Sequence, residues 1–342
     1  MQISKPLALN EIGGRTNNED NIFPQKGNAT ETQRFFVVCD GMGGHENGEV
    51  ASSAVCESFA ATLQSINPEN FDKNIFEDAL SSAYDALDKK DASTSLSAGA
   101  SAGSKKMGTT LAFLHLNNRR ALMAHIGDSR VYHIRKDKNG KTTILYKSSD
   151  HSFVNELVQS GIITEEEAAK HPKRNVITRV MQPNLEKRYS ADIHITRNVA
   201  AGDRFFLCTD GVLESFSDAH LCHIISENTD DETIIKAIDK LCQNHSRDNF
   251  SAYLVSVIED VEEEVITVIE EEEIIFKHEA IKTEAESLKP KKSYRYMLMI
   301  LLAFLLLGFG AALLCWKHKP TEQQKEQIEK QNALFYPDHF EE

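Results

Sequence analysis

Positive charge is scarce in this sequence. The 342 residues carry 38 Lys and Arg against 52 Asp and Glu, a formal net charge of −14, which excludes the basic surface that a nucleic-acid backbone selects. The six cysteines, Cys39, Cys56, Cys208, Cys222, Cys242 and Cys315, include no Cys-x-x-Cys pair. They read as reduced, buried small hydrophobes of a cytosolic domain and not as a disulfide framework. No internal repeat runs through the chain. The opening residues, MQISKPLALNEIGGR, offer too short an apolar stretch and no small-residue cleavage site for a signal peptide, so synthesis is expected to begin in the cytoplasm.

One long apolar run is present. Residues 297–316, MLMILLAFLLLGFGAALLCW, are uncharged and match the roughly 20 residues that a helix needs to cross a bilayer. Lys289, Lys291, Lys292 and Arg295 crowd one flank, Lys317 and Lys319 the other, a bias that keeps the preceding domain cytoplasmic. The expected organisation is a soluble domain over 1–258, an acidic juxtamembrane linker over 259–296, a single transmembrane helix over 297–316 and a short tail over 317–342 across the membrane. Glu dominates the linker, which reads as a solvated tether. Gly308 and Ala312 form a small-xxx-small pair beside Gly310 through which two such helices could self-associate.

Within 1–258 the pattern is mixed. Runs rich in Val, Ile, Leu and Phe at 35–39, 109–116, 121–126, 130–134, 204–208 and 253–258 predict strands. Helical spacing links Val50, Ala54, Val55, Phe59 and Leu63, and again Ile75, Phe76, Ala79, Ala83 and Leu87; further helices are expected over 218–228 and 231–244. Helices come in groups between groups of strands, which favours an antiparallel α+β layered fold over a doubly wound parallel sheet. The Ser/Ala/Gly-rich stretch 91–106 reads as a mobile surface loop.

Asp20, Asp40, Asp210 and Asp248 each sit at or beyond the end of an apolar run or beside a turn signal, so folding could gather them at one rim of a sheet. Clustered hard oxygens bind Mg²⁺ or Mn²⁺, and such ions hydrolyse phosphate esters. Asp40 is the best candidate to bridge two ions, because Gly41 and the pair Gly43-Gly44 let the backbone pass close to a metal and offer a carbonyl.

Seven pieces occur in order: R-T-N-N-E-D, V-C-D-G-M-G-G-H-x-x-G-E-x-A-S, G-T-T-L, G-D-S-R-V-Y, S-D-H-S, L-C-T-D-G-V and R-D-N. On these the chain, from about Arg15 to Val257, resembles a bacterial metal-dependent type 2C Ser/Thr protein phosphatase. The resemblance implies a four-layer αββα sandwich with two central antiparallel sheets and a two-metal site at one end. It assigns Asp20 and the Gly41 carbonyl to one ion, Asp210 and Asp248 to the other, and a metal-activated water as the attacking group. Glu19 is an alternative direct ligand. Arg15 becomes the phosphate clamp, since a guanidinium holds two oxygens in a fork. Asp128 is either a ligand for a third ion or a structural Asp bonded to the Ser129 or Arg130 backbone. His45 stands three residues beyond Met42, where some members carry a histidine, and is either a proton donor or a support for the Gly-rich turn. Residues 150–182 resemble the mobile flap on the substrate side, with a helix start at Thr164 that explains the acidic residues after it.

The expectation is a phosphatase at the cytoplasmic membrane that removes phosphate from Ser or Thr of phosphoproteins, opposite a cognate Ser/Thr kinase. The alternatives are a non-catalytic phosphoprotein-binding scaffold of the same fold and a small-molecule phosphatase.

Overall fold

The computed structural model describes residues 1–43, 47–98, 107–118, 120–227 and 230–259. Residues 260–296 of the linker, the apolar run 297–316, the tail, Gly44 and His45 lie outside them. None of the described helices is long and apolar enough to cross a membrane.

The strands are β1 (Gln2–Ile3), β2 (Leu7–Glu11), β3 (Asn21–Phe23), β4 (Phe35–Cys39), β5 (Gly41–Met42), β6 (Gly108–Thr109), β7 (Leu111–Leu116), β8 (Ala121–Ile126), β9 (Arg130–Lys136), β10 (Thr142–Lys147), β11 (Asp192–Thr196), β12 (Asp203–Cys208) and β13 (Phe250–Glu259). The helices are α1 (Asn47–Leu63), α2 (Lys73–Ala98), α3 (Phe153–Gln159), α4 (Glu165–Lys170), α5 (Asp210–Leu213), α6 (Asp218–Glu227) and α7 (Asp231–His245).

One sheet runs β1-β13-β12-β9-β10, with β2 also paired to β13; a second runs β11-β8-β7-β4-β3; β5 and β6 form a small third ladder. The pairings are antiparallel. Because successive side chains leave a strand on opposite faces, each central strand feeds two cores. In β4, Phe35, Val37 and Cys39 pack toward α1 and α2, while Phe36 and Val38 face the other sheet. In β12, Phe205 and Leu207 fill the space between the sheets, and Phe206 and Cys208 meet α6 and α7. Three apolar layers thus separate helices, sheet, sheet and helices, so these strands read as continuous hydrophobic runs.

Local signals fix the helix starts. The Asp230 side chain accepts the Thr233 N–H ahead of α7, and Thr164 with Glu167 forms a reciprocal capping box ahead of α4, satisfying donors that a first turn leaves open. The expected loop over 91–106 needs correction: α2 continues through Ala98, because a nucleated helix gains one hydrogen bond per residue and Ala favours it. The expected strand over 109–116 is interrupted at Thr110, whose N–H goes to the Asp40 carbonyl at 2.9 Å.

Phe113 on β7 is enclosed by Phe59, Phe71 and Phe76, with ring centroids 5.3, 5.9 and 5.0 Å away. Phe113→Ala is expected to cost about 3–5 kcal/mol, since this aromatic layer has little room to collapse. A urea titration measures it; a loss below about 1 kcal/mol would show that the helices repack freely over the sheet.

Candidate active site

The pairing registers bring the site together. Asn21 stands opposite Cys39, so Asp20 and Asp40 leave neighbouring strands at the same end. Cys208 stands opposite both Ala252 and Arg130, which places Asp210, the Asp248 approach to β13 and the Asp128 turn at one edge of the other sheet. Asp128 lies between β8 and β9, the crossing from one sheet to the other. Hydrogen bonds lock the two edges. The Asp40 N–H donates to Thr110 Oγ1 at 2.9 Å, and that hydroxyl lies 2.7 Å from Ser129 Oγ beside Asp128.

Asp20 is buried, 4% exposed, and one of its oxygens accepts the Thr209 hydroxyl at 2.9 Å. Asp40, Asp128, Asp210 and Asp248 are half-buried. Gly41 is buried, with its N–H on the Glu19 carbonyl at 3.1 Å; a Cβ there would stand 2.1 Å from the Gly48 carbonyl oxygen and 2.5 Å from that of Glu19. No other residue permits this approach of backbone to backbone. Arg15 is half exposed and its Nη2 donates to Asp248 Oδ2 at 2.5 Å. The structure therefore brings Asp20, Asp40, Asp128, Asp210 and Asp248 together, with Gly41 and Glu19 beside them and Arg15 on the rim.

Their electrostatics follow from this crowding. Burial pushes Asp20 up to about 7, with the Ser251 and Thr209 hydroxyls opposing and Asp210 and Asp248 adding to the rise. Burial, helped by Asp210 and Asp150, brings Asp128 to about 7; burial, helped by Asp248, brings Asp210 to about 6. Asp40 is driven well above the usual carboxylate range by burial and by Asp20, Asp210, Asp128 and Asp248 around it. Packed carboxylates retain protons unless positive charge neutralises them. Among the described residues, Oδ1 of Asp128 and Oδ1 of Asp210 are buried without a hydrogen-bond partner, although buried oxygens normally have one. Hard oxygen donors, surplus negative charge and two orphaned lone-pair bearers fit a hard divalent cation.

Beside Asp128 and Asp210 opens a cleft of about 780 Å³, whose other walls include Arg174, Glu165, Arg247 and Glu214. The 153–176 excursion, carrying α3 and α4, forms one side of it. Arg130 fixes the entrance by a bidentate pair with Asp150, 2.6 Å at each contact.

Two participants escaped sequence reasoning. Thr209 precedes a helix as a cap would, yet makes no capping bond and gives its hydroxyl to Asp20. Asn249, in the quoted R-D-N, accepts the Glu19 N–H at 2.9 Å and donates to the Ile12 and Asn17 carbonyls at 2.8 Å each, tying the 12–19 segment to β13. The available signal was an amide in an otherwise strand-forming run, where burial demands partners.

A family model described as protein phosphatase 2C matches residues 11–268. The chain is 31% identical over 257 residues to the serine/threonine protein phosphatase PstP of Mycobacterium tuberculosis, covering 72% of this chain and 43% of that protein, so it spans less than half the length of that relative. It is 30% identical over 264 residues to the protein phosphatase PhpP of Streptococcus pneumoniae, covering 76% of this chain and 99% of the relative. Among solved structures, the catalytic domain of the serine threonine protein phosphatase PstP in complex with two manganese ions matches with a TM-score of 0.61 at 26% identity, over 76% of this chain and all of that one. The seven motifs, the two antiparallel sheets and the carboxylate cluster at their shared end thus have one common explanation: this chain belongs to the protein phosphatase 2C family of serine/threonine protein phosphatases.

Proposed function

We propose that this chain hydrolyses phosphoserine and phosphothreonine in proteins, using two Mn²⁺ or Mg²⁺ ions and, at Asp128, a third. The observation that carries the reading is the set of convergent carboxylates with two buried oxygens left unpartnered. Asp40, Asp20 and the Gly41 carbonyl would hold one ion, Asp40, Asp210 and Asp248 the other, with Glu19 the alternative donor. When bound, such ions supply a water activated near neutral pH and positive charge facing the phosphoryl oxygens.

The chain's own groups divide the remaining tasks. Arg15 brings a fork suited to two phosphoryl oxygens, and its present contact with Asp248 keeps the guanidinium at the rim. Phosphate binding exchanges one oxyanion partner for another, which costs less than desolvating a free guanidinium. The cleft of about 780 Å³ beside Asp128 and Asp210 has room for residues flanking a phosphorylated side chain, which favours a protein substrate over a small metabolite. We read the 297–316 run as a single anchor that keeps this domain on the cytoplasmic face of a membrane.

The carboxylates set a pH dependence of stability. A group whose folded pKa is raised binds more protons folded than unfolded, so its stabilisation is present below the unfolded value and lost as pH rises through the folded one. For Asp20, Asp128 and Asp210 that window runs from the ordinary carboxylate range up to about 6 or 7. In a chelator the melting temperature is expected to fall between about pH 5 and about pH 7.5, and Mn²⁺ at the higher pH should restore it. A flat profile in chelator, insensitive to Mn²⁺, would remove the charge-repulsion account.

Asp210→Asn keeps the side-chain volume and removes one charge. Turnover of an aryl phosphate should drop by roughly 10² or more, beyond the ~10–100-fold cost of losing a group that merely supports a ligand. Near-normal turnover across a Mn²⁺ titration would move Asp210 away from the metals. Comparing a phosphothreonine peptide with a sugar phosphate tests the substrate class: preference for the sugar phosphate would replace the protein-phosphatase reading by a small-molecule one. For the anchor, the full chain should stay with membranes through a carbonate wash, and release by that wash would refute a spanning helix.

A further inference from the structure

His151, in the quoted S-D-H-S, lies outside the carboxylate cluster and is 6% exposed. It makes five directed contacts. Its N–H donates to the Gly127 carbonyl at 2.9 Å, and its carbonyl accepts the Thr178 N–H at 2.8 Å. On the ring, Nδ1 accepts the Gly127 N–H at 3.1 Å and Nε2 lies 3.2 Å from Asp192 Oδ2. Arg179 Nη1 lies 3.4 Å from the same Nε2 and donates to Asp192 Oδ1 at 3.3 Å. Thus one residue touches the entrance of the 153–176 excursion, its exit at Thr178 and, through Asp192, the first residue of β11. It also grips Gly127, which has a φ of +101° and immediately precedes Asp128.

The bonds fix the tautomer. An Nδ1 that accepts an N–H is bare, so the neutral ring carries its proton on Nε2 and donates it to Asp192, while Arg179 Nη1, itself only a donor, is held beside that nitrogen by its own bond to Asp192. Burial and the adjacent His125 lower the pKa of His151, keeping it neutral. His125, 1% exposed, stacks on it at 4.5 Å with 17° between ring planes and sets its own Nε2 on the Ser149 carbonyl at 2.8 Å. His125, His151 and Asp192 place one donor atom each within 4.8 Å of one another, a spacing open to a metal ion. The tautomer decides against that: ligation through Nε2 would need this nitrogen bare while Nδ1 also accepts an N–H, and ligating imidazoles donate from their other nitrogen.

We propose that His151 is a positioning residue that clasps both ends of the flap to the turn carrying Asp128, so that the wall of the substrate cleft and the metal-side turn are held in one register. The role rests on the phosphatase reading, because only there do cleft wall and turn serve one reaction. Ring Nδ1 holds the Asp128 turn, and ring Nε2 holds the flap exit through Asp192, which receives Arg179 next to Thr178. The two halves are separable by mutation.

The test uses the full chain and three variants, Asp192→Ala, His151→Asn and His151→Ala. Trypsin cleavage in the Lys170–Arg174 region under native conditions reads flap opening, calorimetric Mn²⁺ titration reads the Asp128 side, and KM and kcat are taken on a phosphopeptide and an aryl phosphate. Asp192→Ala should speed native-state cleavage and raise the phosphopeptide KM by about fivefold each, the equivalent of one hydrogen bond of about 1 kcal/mol, with aryl-phosphate kcat unchanged. His151→Ala should add weaker Mn²⁺ binding. His151→Asn should recover Mn²⁺ binding but not protease resistance, since its amide oxygen can take the Nδ1 place and its side chain is too short for Asp192.

Wild-type cleavage and Mn²⁺ binding in all three variants would overturn the proposal. So would a uniform loss of kcat on both substrates with a lowered melting temperature and no recovery in Asn, which marks a merely structural histidine. If His151→Ala fails to fold, the other two variants still decide. If the wild-type protein shows no Mn²⁺-dependent turnover, the phosphatase reading fails while cleavage rates still judge the clasp.

Discussion

The crowding of carboxylates at one end of the two sheets is the constraint around which this molecule is organised. Asp20, Asp40, Asp128 and Asp210 all have their protonated forms favoured by burial and by one another. Gathering them is costly, because each desolvated charge costs several kcal/mol unless a proton or a counter-charge neutralises it. The surrounding fold therefore over-determines their places. Three apolar layers supply the free energy, and a small set of polar bonds at Thr110, Thr209 and Asn249 converts it into position. On the proposed metal-dependent reading, what destabilises the protein alone would become binding energy once positive charge arrives.

Antiparallel pairing makes this economical. A one-residue slip in any central strand would exchange its two faces, and since β4 and β12 serve a different core on each face, such a slip would bury the wrong residues on both sides. Register is thereby fixed by packing far from the site, and the residue just past each strand end inherits that precision. Asp40 follows Cys39, Asp210 follows Cys208 by two, and Asp128 follows Ile126 by two. Sheet cores thus act as the jig for a site whose own members would rather separate.

The same logic decides what could be read from sequence. The strands at 35–39 and 121–126 are legible to the residue, because burial on both faces leaves unbroken apolar runs between turn signals. β2, β10 and β11 are not: LALNE, TTILYK and DIHIT are partly exposed and owe their strand state to pairing with β13, β9 and β8. The four aspartates were recognisable from their contexts, and the family resemblance supplied roles that spacing could not. Thr209, Asn249 and His151 were quoted within motifs without a role, since what each does depends on a partner 189, 230 or 24 residues away. A hydroxyl before a helix suggests a cap; only the fold shows it turned toward Asp20. Residues 91–98 show the opposite failure, where a composition typical of linkers is held helical by continuity with α2.

The strands that deliver Asp40 and Asp210 end in Cys39 and at Cys208, and both thiols are fully buried and unpaired. Oxidation and alkylation proceed through the thiolate, and burial drives the Cys208 thiol far from ionising. Phosphate-ester hydrolysis built on carboxylates also needs no sulfur nucleophile. An alkylating agent that silences a thiol-dependent enzyme would therefore find no ionised sulfur at the end of β12, and the proposed carboxylate chemistry would be indifferent to it.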